Sequence, residues 1–250
     1  MNPIMQDVQE KVPSLRDLQI KIFSDGADLD SIAEAHQAGV AKGFTTNPSL
    51  MAKAGITNYI AFAKEVLKIV TDLPVSFEVF SDDFEEMRYQ AHKIHALGSN
   101  VFVKIPVTNT RRESAAALIH ELHRGGIKLN VTAILSLRQV EEVYAALDPE
   151  VPAFVSVFAG RIADTGRDPL PLMQAALEVI RPKTKAELLW ASPREVFNLM
   201  QAEKMGCHII TITPDLLAKA SKFGMDLEDL SLDTVKMFYN DAQKSGFKIA

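Results

Sequence analysis

Short apolar runs alternate with longer amphipathic segments along most of the chain. The runs cover residues 19–24, 41–44, 75–79, 101–104, 127–131, 153–157, 187–190 and 208–212. They are close to continuous in Val, Ile, Leu and Phe, which suits strands covered on both faces. Between them lie 28–38, 58–70, 82–97, 114–124, 137–147, 169–180, 193–205 and 215–222, where apolar positions recur at helical spacing. Regular alternation of this kind implies βαβ units and a parallel sheet. About eight units of about thirty residues fit a closed (β/α)8 TIM barrel, an α/β fold, better than an open doubly wound sheet. No G-x-G-x-x-G follows any of the runs, so a dinucleotide site has little support.

Residues 231–245 predict one further helix after the barrel is complete. Its apolar stripe of Leu232, Val235 and Phe238, with Met237 nearby, needs a surface to bury against. Both the barrel wall and a neighbouring subunit qualify. Breaks between segments are brief and fall where the loops of βα units belong. A single barrel domain is therefore expected over 19–250, including the C-terminal helix, preceded by an arm or short helix over 1–18.

Composition narrows the function classes. At 250 residues the chain can bury a full core without disulfides or a structural metal. A net charge of −5, with no long Lys/Arg block, argues against a general nucleic-acid binder. No apolar stretch is long enough to span a bilayer, and the polar start of the chain does not form a signal peptide. A cytoplasmic protein is expected. The single cysteine, Cys207, lies in an apolar run and fits a reducing compartment.

Active sites of such barrels lie at the C-terminal ends of the strands, so the polar residues closing each run are the candidates. Lys104 ends a run that is apolar on both sides. A closed barrel has no edge, which favours a lysine pointing inward, where desolvation turns the amine into a nucleophile for carbonyls. The alternative is a structural lysine paired to Asp25 or Glu78. Glu78 is either a salt-bridge partner or an acid/base acting through a water, which Thr132 could position. Asp25 could take a proton from a substrate hydroxyl. Asp28 and Asp30 are expected to cap and charge the first helix.

Other strand-end positions are Thr45, Thr46, Asn47, Asn130, Ser156, Ser192, Thr211 and Thr213. Arg161 and Arg194 follow the sixth and seventh runs, where phosphate sites of these barrels gather; two solvated loop arginines are the alternative. His92 with His95, and His120 with His123, have a spacing compatible with metal ligation. Both pairs sit in mid-helix without an obvious third ligand, and the helix surface is their expected place. No metal is expected.

Several segments carry a resemblance. Thr45-Thr46-Asn47-Pro48-Ser49, Val103-Lys104-Ile105-Pro106-Val107-Thr108 and Gly160-Arg161-Ile162 are similar to the signatures of transaldolases and the related fructose-6-phosphate aldolases. They come in the right order, and the likeness runs from about Ile20 to the C-terminus. The resemblance implies that Lys104 forms the Schiff base and Asp25 is the acid/base for the substrate's C4 hydroxyl. It assigns Asn47 to substrate hydroxyls and Glu78 with Thr132 to the catalytic water. Asn130 falls on an asparagine of the pattern, since Asn130-Val131-Thr132 resembles Asn-Leu-Thr. Thr46, Ser156, Phe158, Arg161, Ser192 and Arg194 fall among substrate and phosphate contacts.

The aldolases typically carry glutamine and tyrosine where this chain has Glu78 and Phe158, so both positions follow the transaldolase pattern. The implied reaction moves a dihydroxyacetone unit between sugar phosphates: sedoheptulose 7-phosphate and glyceraldehyde 3-phosphate give erythrose 4-phosphate and fructose 6-phosphate. Such a step belongs to the pentose phosphate pathway. The resemblance implies no cofactor, and a homo-oligomer is expected. A free aldolase and a barrel that only binds a sugar phosphate are the competing readings. Three departures from the pattern touch the rim: Gly26 after Asp25, Val157 and Pro193 beside the substrate contacts, and Asn109–Glu113 in place of a stretch that usually carries glycine.

Overall fold

The computed structural model describes residues 12–182 and 185–249. Residues 1–11 of the expected arm lie outside the described residues. Eight parallel strands close into a barrel in chain order, β1 pairing with β8. They are β1 (Lys21–Asp25), β2 (Gly43–Thr45), β3 (Val75–Glu78), β4 (Val101–Pro106), β5 (Leu129–Ile134), β6 (Ala153–Val157), β7 (Ala186–Trp190) and β8 (Ile209–Ile212). The described helices are α1 (Leu29–Ala38), α2 (Pro48–Lys53), α3 (Tyr59–Ile69), α4 (Phe84–His95), α5 (Ala116–Arg124), α6 (Leu137–Ala146), α7 (Ala159–Ala163), α8 (Leu170–Ile180), α9 (Asn198–Lys204), α10 (Pro214–Leu217) and α11 (Leu227–Ser245). The expected α/β barrel with an added C-terminal helix is the observed fold.

The chain forms two compact units, each described by itself. One spans Gln19–Ala218 and contains the barrel; the other comprises the described residues up to 18 together with 219–249. In the second unit, α11 has no buried residue, and Leu232, Val235, Met237 and Phe238 are all exposed. Among the described residues, no helix is long and apolar enough to cross a membrane.

Inside the barrel, alternate residues of each strand point to the axis. An aromatic layer fills the interior: Phe23 meets Phe154 edge-on at 5.4 Å, and Phe102 stacks on Phe154 at 4.0 Å. Lys104 lies two residues beyond Phe102 on β4, so the same periodicity sets its amine in the next layer, nearer the strand ends. Strand register then aligns Glu78, Lys104 and Asn130 across β3, β4 and β5. A bulge in β5 between Val131 and Ile134 leaves Ala133 at φ 61°, a left-handed conformation rare outside glycine.

Asp28 caps α1 by accepting from the Ser31 backbone N–H, and Asp30 lies in its first turn, as expected. Four sequence expectations need correction. The short helices α2 and α7 were not expected; six and five residues are too few for a periodic pattern to register. The helix expected over 193–205 begins only at Asn198, because the Asn198 side chain accepts from the N–H groups of Arg194 and Glu195 and holds them as a loop. Of the four histidines expected on helix surfaces, His123 is fully buried. Its Nδ1 accepts from the Asp148 backbone N–H at 2.8 Å.

Candidate active site

At the C-terminal ends of the strands a cavity of about 490 Å³ opens. Its polar lining includes Asp25, Thr45, Asn47, Glu78, Lys104, Asn130, Ser156, Arg161, Ser192 and Thr211, and its apolar wall includes Leu135, Phe158 and Ala191. Nine of the twelve residues expected at a site, from seven of the strand ends and their loops, therefore meet in one place.

Lys104 is buried, and its amine donates to the Thr46 carbonyl at 3.3 Å and lies 3.2 Å from Glu78 Oε2. The partner is thus Glu78 and not Asp25. Glu78 is itself fixed through its backbone, since the Tyr59 hydroxyl donates to its carbonyl at 2.6 Å. Burial and the neighbouring Glu78 charge both push the Tyr59 phenol well above the ordinary range, so it stays a neutral donor.

Asp25 closes β1 and lines the cavity. Burial raises its pKa above the usual carboxylate value; the Lys104 charge and the hydrogen bond from Thr45 offset part of that rise. Thr45 donates to Asp25 Oδ1 at 2.7 Å, and its oxygen lies 2.5 Å from the Thr211 hydroxyl. Asn47 uses Oδ1 to cap α2, accepting from the Leu50 N–H at 3.0 Å, which leaves its amide N–H groups for another acceptor. Asn130 is held from both sides: it donates to Ser76 at 3.0 Å and accepts from Ser156 at 2.6 Å.

The opposite side of the cavity is cationic. Arg161, on α7, sits with its guanidinium 5.6 Å from the centre of the Phe158 ring. Behind it, the backbones of Gly160 and Ser192 are in close contact: a Cβ on Gly160 would fall 1.5 Å from the Ser192 carbonyl oxygen. Ser192 has φ 62°, a backbone state that costs energy for a non-glycine residue and gathers at functional sites.

Three expected residues are not on the lining. Thr46 turns its hydroxyl to the Ser76 carbonyl at 3.3 Å and contributes only its own carbonyl, as the acceptor for Lys104. The Thr132 hydroxyl is buried with no hydrogen-bond partner among the described residues. Arg194 forms a two-point ion pair with Asp164, with Nε 2.9 Å from Oδ1 and Nη2 on Oδ2. That pairing holds Asp164 below its ordinary pKa. Conversely, Thr45 and Thr211 stand in the strand-end set without an expected role, and the structure joins them to Asp25. The signal in the sequence was their position alone.

A one-lysine, two-carboxylate cavity with hydroxyl, amide and guanidinium groups can form an imine, move protons and hold an anion. Comparisons with known proteins identify the family. The family model for transaldolase/fructose-6-phosphate aldolase matches residues 22–249. A "Probable transaldolase" of Thermoanaerobacter sp. (strain X514) is 35% identical over 232 residues, covering 92% of this chain and all of that protein. Another of the same name, from a strain of Methanococcus maripaludis, is 38% identical over 202 residues, covering 80% of this chain and 89% of its own. Among solved structures, 2,3-dimethylmalate lyase, a PEP mutase/isocitrate lyase superfamily member, superposes with a TM-score of 0.52 at 13% identity. It covers 93% of this chain and 84% of its own, a likeness of fold alone. With nearly its whole length matched by the family model, this chain belongs to the transaldolase/fructose-6-phosphate aldolase family.

Proposed function

We propose that the chain is a transaldolase, moving a dihydroxyacetone unit from a ketose phosphate to an aldose phosphate through an imine on Lys104. The observation that carries this reading is the Lys104 amine: buried, 3.2 Å from Glu78, and on the same cavity lining as Asp25 and Asn130. The family supports imine chemistry on this lysine, and the names of the relatives favour transfer within it.

The Lys104 nitrogen adds to the C2 carbonyl of sedoheptulose 7-phosphate and gives a carbinolamine. Glu78, working through a water held with Thr132, protonates the departing hydroxyl, and an iminium ion remains. Asp25 takes the C4 hydroxyl proton; the C3–C4 bond breaks, and its electron pair passes into the iminium to leave an enamine. Erythrose 4-phosphate departs. C3 of the enamine then attacks the carbonyl of glyceraldehyde 3-phosphate, and Asp25 returns its proton to the new hydroxyl. Hydrolysis of the imine releases fructose 6-phosphate and frees Lys104. The imine is its own electron sink, so this chemistry calls for no cofactor.

Asn47, Asn130 and Ser156 hold the hydroxyls of the bound unit, and Phe158 closes the apolar side. Arg161 with Ser192 receives the phosphate; Arg194 joins them only by leaving Asp164. The test is borohydride reduction in the presence of fructose 6-phosphate, followed by mass mapping of the peptide containing Lys104. An adduct on Lys104, with product formation that requires an acceptor aldehyde, is the expected result. An adduct with release of dihydroxyacetone and no acceptor requirement turns the assignment to a free aldolase. Absence of any adduct overturns the imine mechanism.

A further inference from the structure

Strands β2 and β8 lie on either side of β1, and a hydroxyl from each meets in front of it. Thr45 and Thr211 approach to 2.5 Å, and Thr45 donates to Asp25 Oδ1 at 2.7 Å. A hydroxyl has one proton to give. Since Thr45 gives its proton to the carboxylate, Thr211 is the donor between the two threonines. The chain therefore runs in one direction, Thr211 to Thr45 to Asp25. Both threonines are buried, and both line the cavity. Two packed hydroxyls here, in place of two apolar side chains, need a reason beyond packing.

We infer that Thr45 and Thr211 are positioning residues that act as a unit on Asp25, fixing its Oδ1 so that Oδ2 faces the substrate hydroxyl and holding the carboxylate ionised for proton abstraction. This inference rests on the imine reading for its catalytic part. A hydrogen bond donated to an ionised acceptor is stronger than one between neutral groups, and a second donor behind the first polarises it further. In the cleavage step the substrate's proton goes to Asp25, while the two threonines keep theirs. Thr45 then donates to a neutral carboxyl, a weaker bond, so the chain favours the form of Asp25 that is ready to take a proton. The other charged side chains on the cavity are Lys104 from β4, Glu78 from β3 and Arg161 from α7. From β2, β8 and the start of α2, which flank Asp25, the polar groups on the lining are the uncharged Thr45, Thr211, Asn47 and Ser49.

The test uses the full chain labelled with 13C at aspartate carboxyls, the Asp25 signal being identified by its loss in Asp25→Asn. Thr45→Val is expected to raise the Asp25 titration midpoint by about one pH unit, roughly a tenfold change in proton affinity. Thr211→Val should raise it by less. The double variant should match Thr45→Val alone, because without the Thr45 hydroxyl the Thr211 proton no longer reaches Asp25. Thr45→Ser should restore the wild-type midpoint. The acid limb of kcat/KM for fructose 6-phosphate cleavage should move with the same order.

An unmoved midpoint in Thr45→Val, or a Thr211 shift that adds in full to the Thr45 shift, overturns the inference. Loss of activity with the acid limb in place overturns it too, since a merely structural pair would behave that way. The underlying reading fails separately. Midpoints that move as stated in a protein whose Lys104 is never trapped by borohydride would remove the imine mechanism and support the hydroxyl chain.

Discussion

Lys104 Nζ lies 3.2 Å from Glu78 Oε2, and the two residues are register partners on adjacent strands. A lysine alone in a dry interior would relieve the fold when removed. The contact with Glu78 reverses that expectation, because removal of Lys104 leaves a largely enclosed carboxylate without its cation. Breaking a fully buried pair costs about 3–5 kcal/mol. Here the Glu78 side chain keeps 19% of its exposure at the cavity, so the cost should be smaller. Lys104→Met is expected to lower kcat by more than about a thousandfold and to lower Tm by a few degrees, on the order of 1 kcal/mol. Adding Glu78→Gln should recover the lost Tm and none of the activity. Thermal melts and initial rates of the two variants read both effects.

The two arginines behind the sixth and seventh strands should separate in kinetics. Arg161 lines the cavity beside Phe158, whereas Arg194 is tied to Asp164 outside the lining. Arg161→Ala is expected to raise KM for fructose 6-phosphate by about ten- to a hundredfold, the worth of a charged hydrogen bond. KM for unphosphorylated dihydroxyacetone should hardly change. Arg194→Ala should move either KM by less than about threefold, and Tm very little, since exposed ion pairs contribute about 0–1 kcal/mol. Equal effects on phosphorylated and unphosphorylated substrates would remove Arg161 from phosphate binding.

Much of this arrangement is legible in the chain itself. Near-continuous apolar runs mark the strands, and a barrel sends every strand end to one face, so the sequence itself gathers Asp25, Glu78, Lys104 and Asn130. Which carboxylate meets Lys104 was not legible, because it depends on the β3–β4 register and not on either strand alone. The Arg194–Asp164 pair joins residues thirty positions apart, and no local pattern announces it. His123 is different. It follows Ile119 by four residues on the buried face of α5, so its position was readable from helical spacing had the apolar face been extended to a histidine. The Thr211–Thr45–Asp25 chain depends on hydroxyl directions across three strands, which composition and spacing do not encode.

Gly160 tests how tightly the cationic side is built. A Cβ there would sit 1.5 Å from the Ser192 carbonyl oxygen, and the obstacle is backbone. Gly160→Ala must therefore push apart α7 and the loop after β7, moving Arg161 and Ser192 together. A Tm loss of several degrees is expected, together with a rise in KM for phosphorylated substrates that resembles Arg161→Ala. Gly26, where an added Cβ meets nothing within 4 Å, serves as the control and should tolerate alanine with little change in Tm. A Gly160→Ala protein with wild-type Tm and KM would mean that this close approach is dispensable.

Asp25 carries a stability cost whose pH dependence can be stated with its sign. Burial raises its pKa in the folded chain above the ordinary value of 3.8, so the folded state binds the proton more tightly than the unfolded state. Below that ordinary value both states are protonated and the cost vanishes. As pH rises, the unfolded chain releases its proton first, and stability falls until the folded carboxyl has also ionised. Above that point the cost is complete. Asp25→Asn keeps the shape, and its carbonyl oxygen still accepts from Thr45, but it cannot ionise. Its Tm should exceed that of the wild type at pH 8, and the advantage should shrink steadily as pH is lowered towards 4. The same variant should lose about 10²- to 10⁴-fold in kcat, the usual contribution of a positioned acid/base. A lower Tm than the wild type at pH 8 would mean that the Lys104 charge and the Thr45 bond outweigh the burial of Asp25.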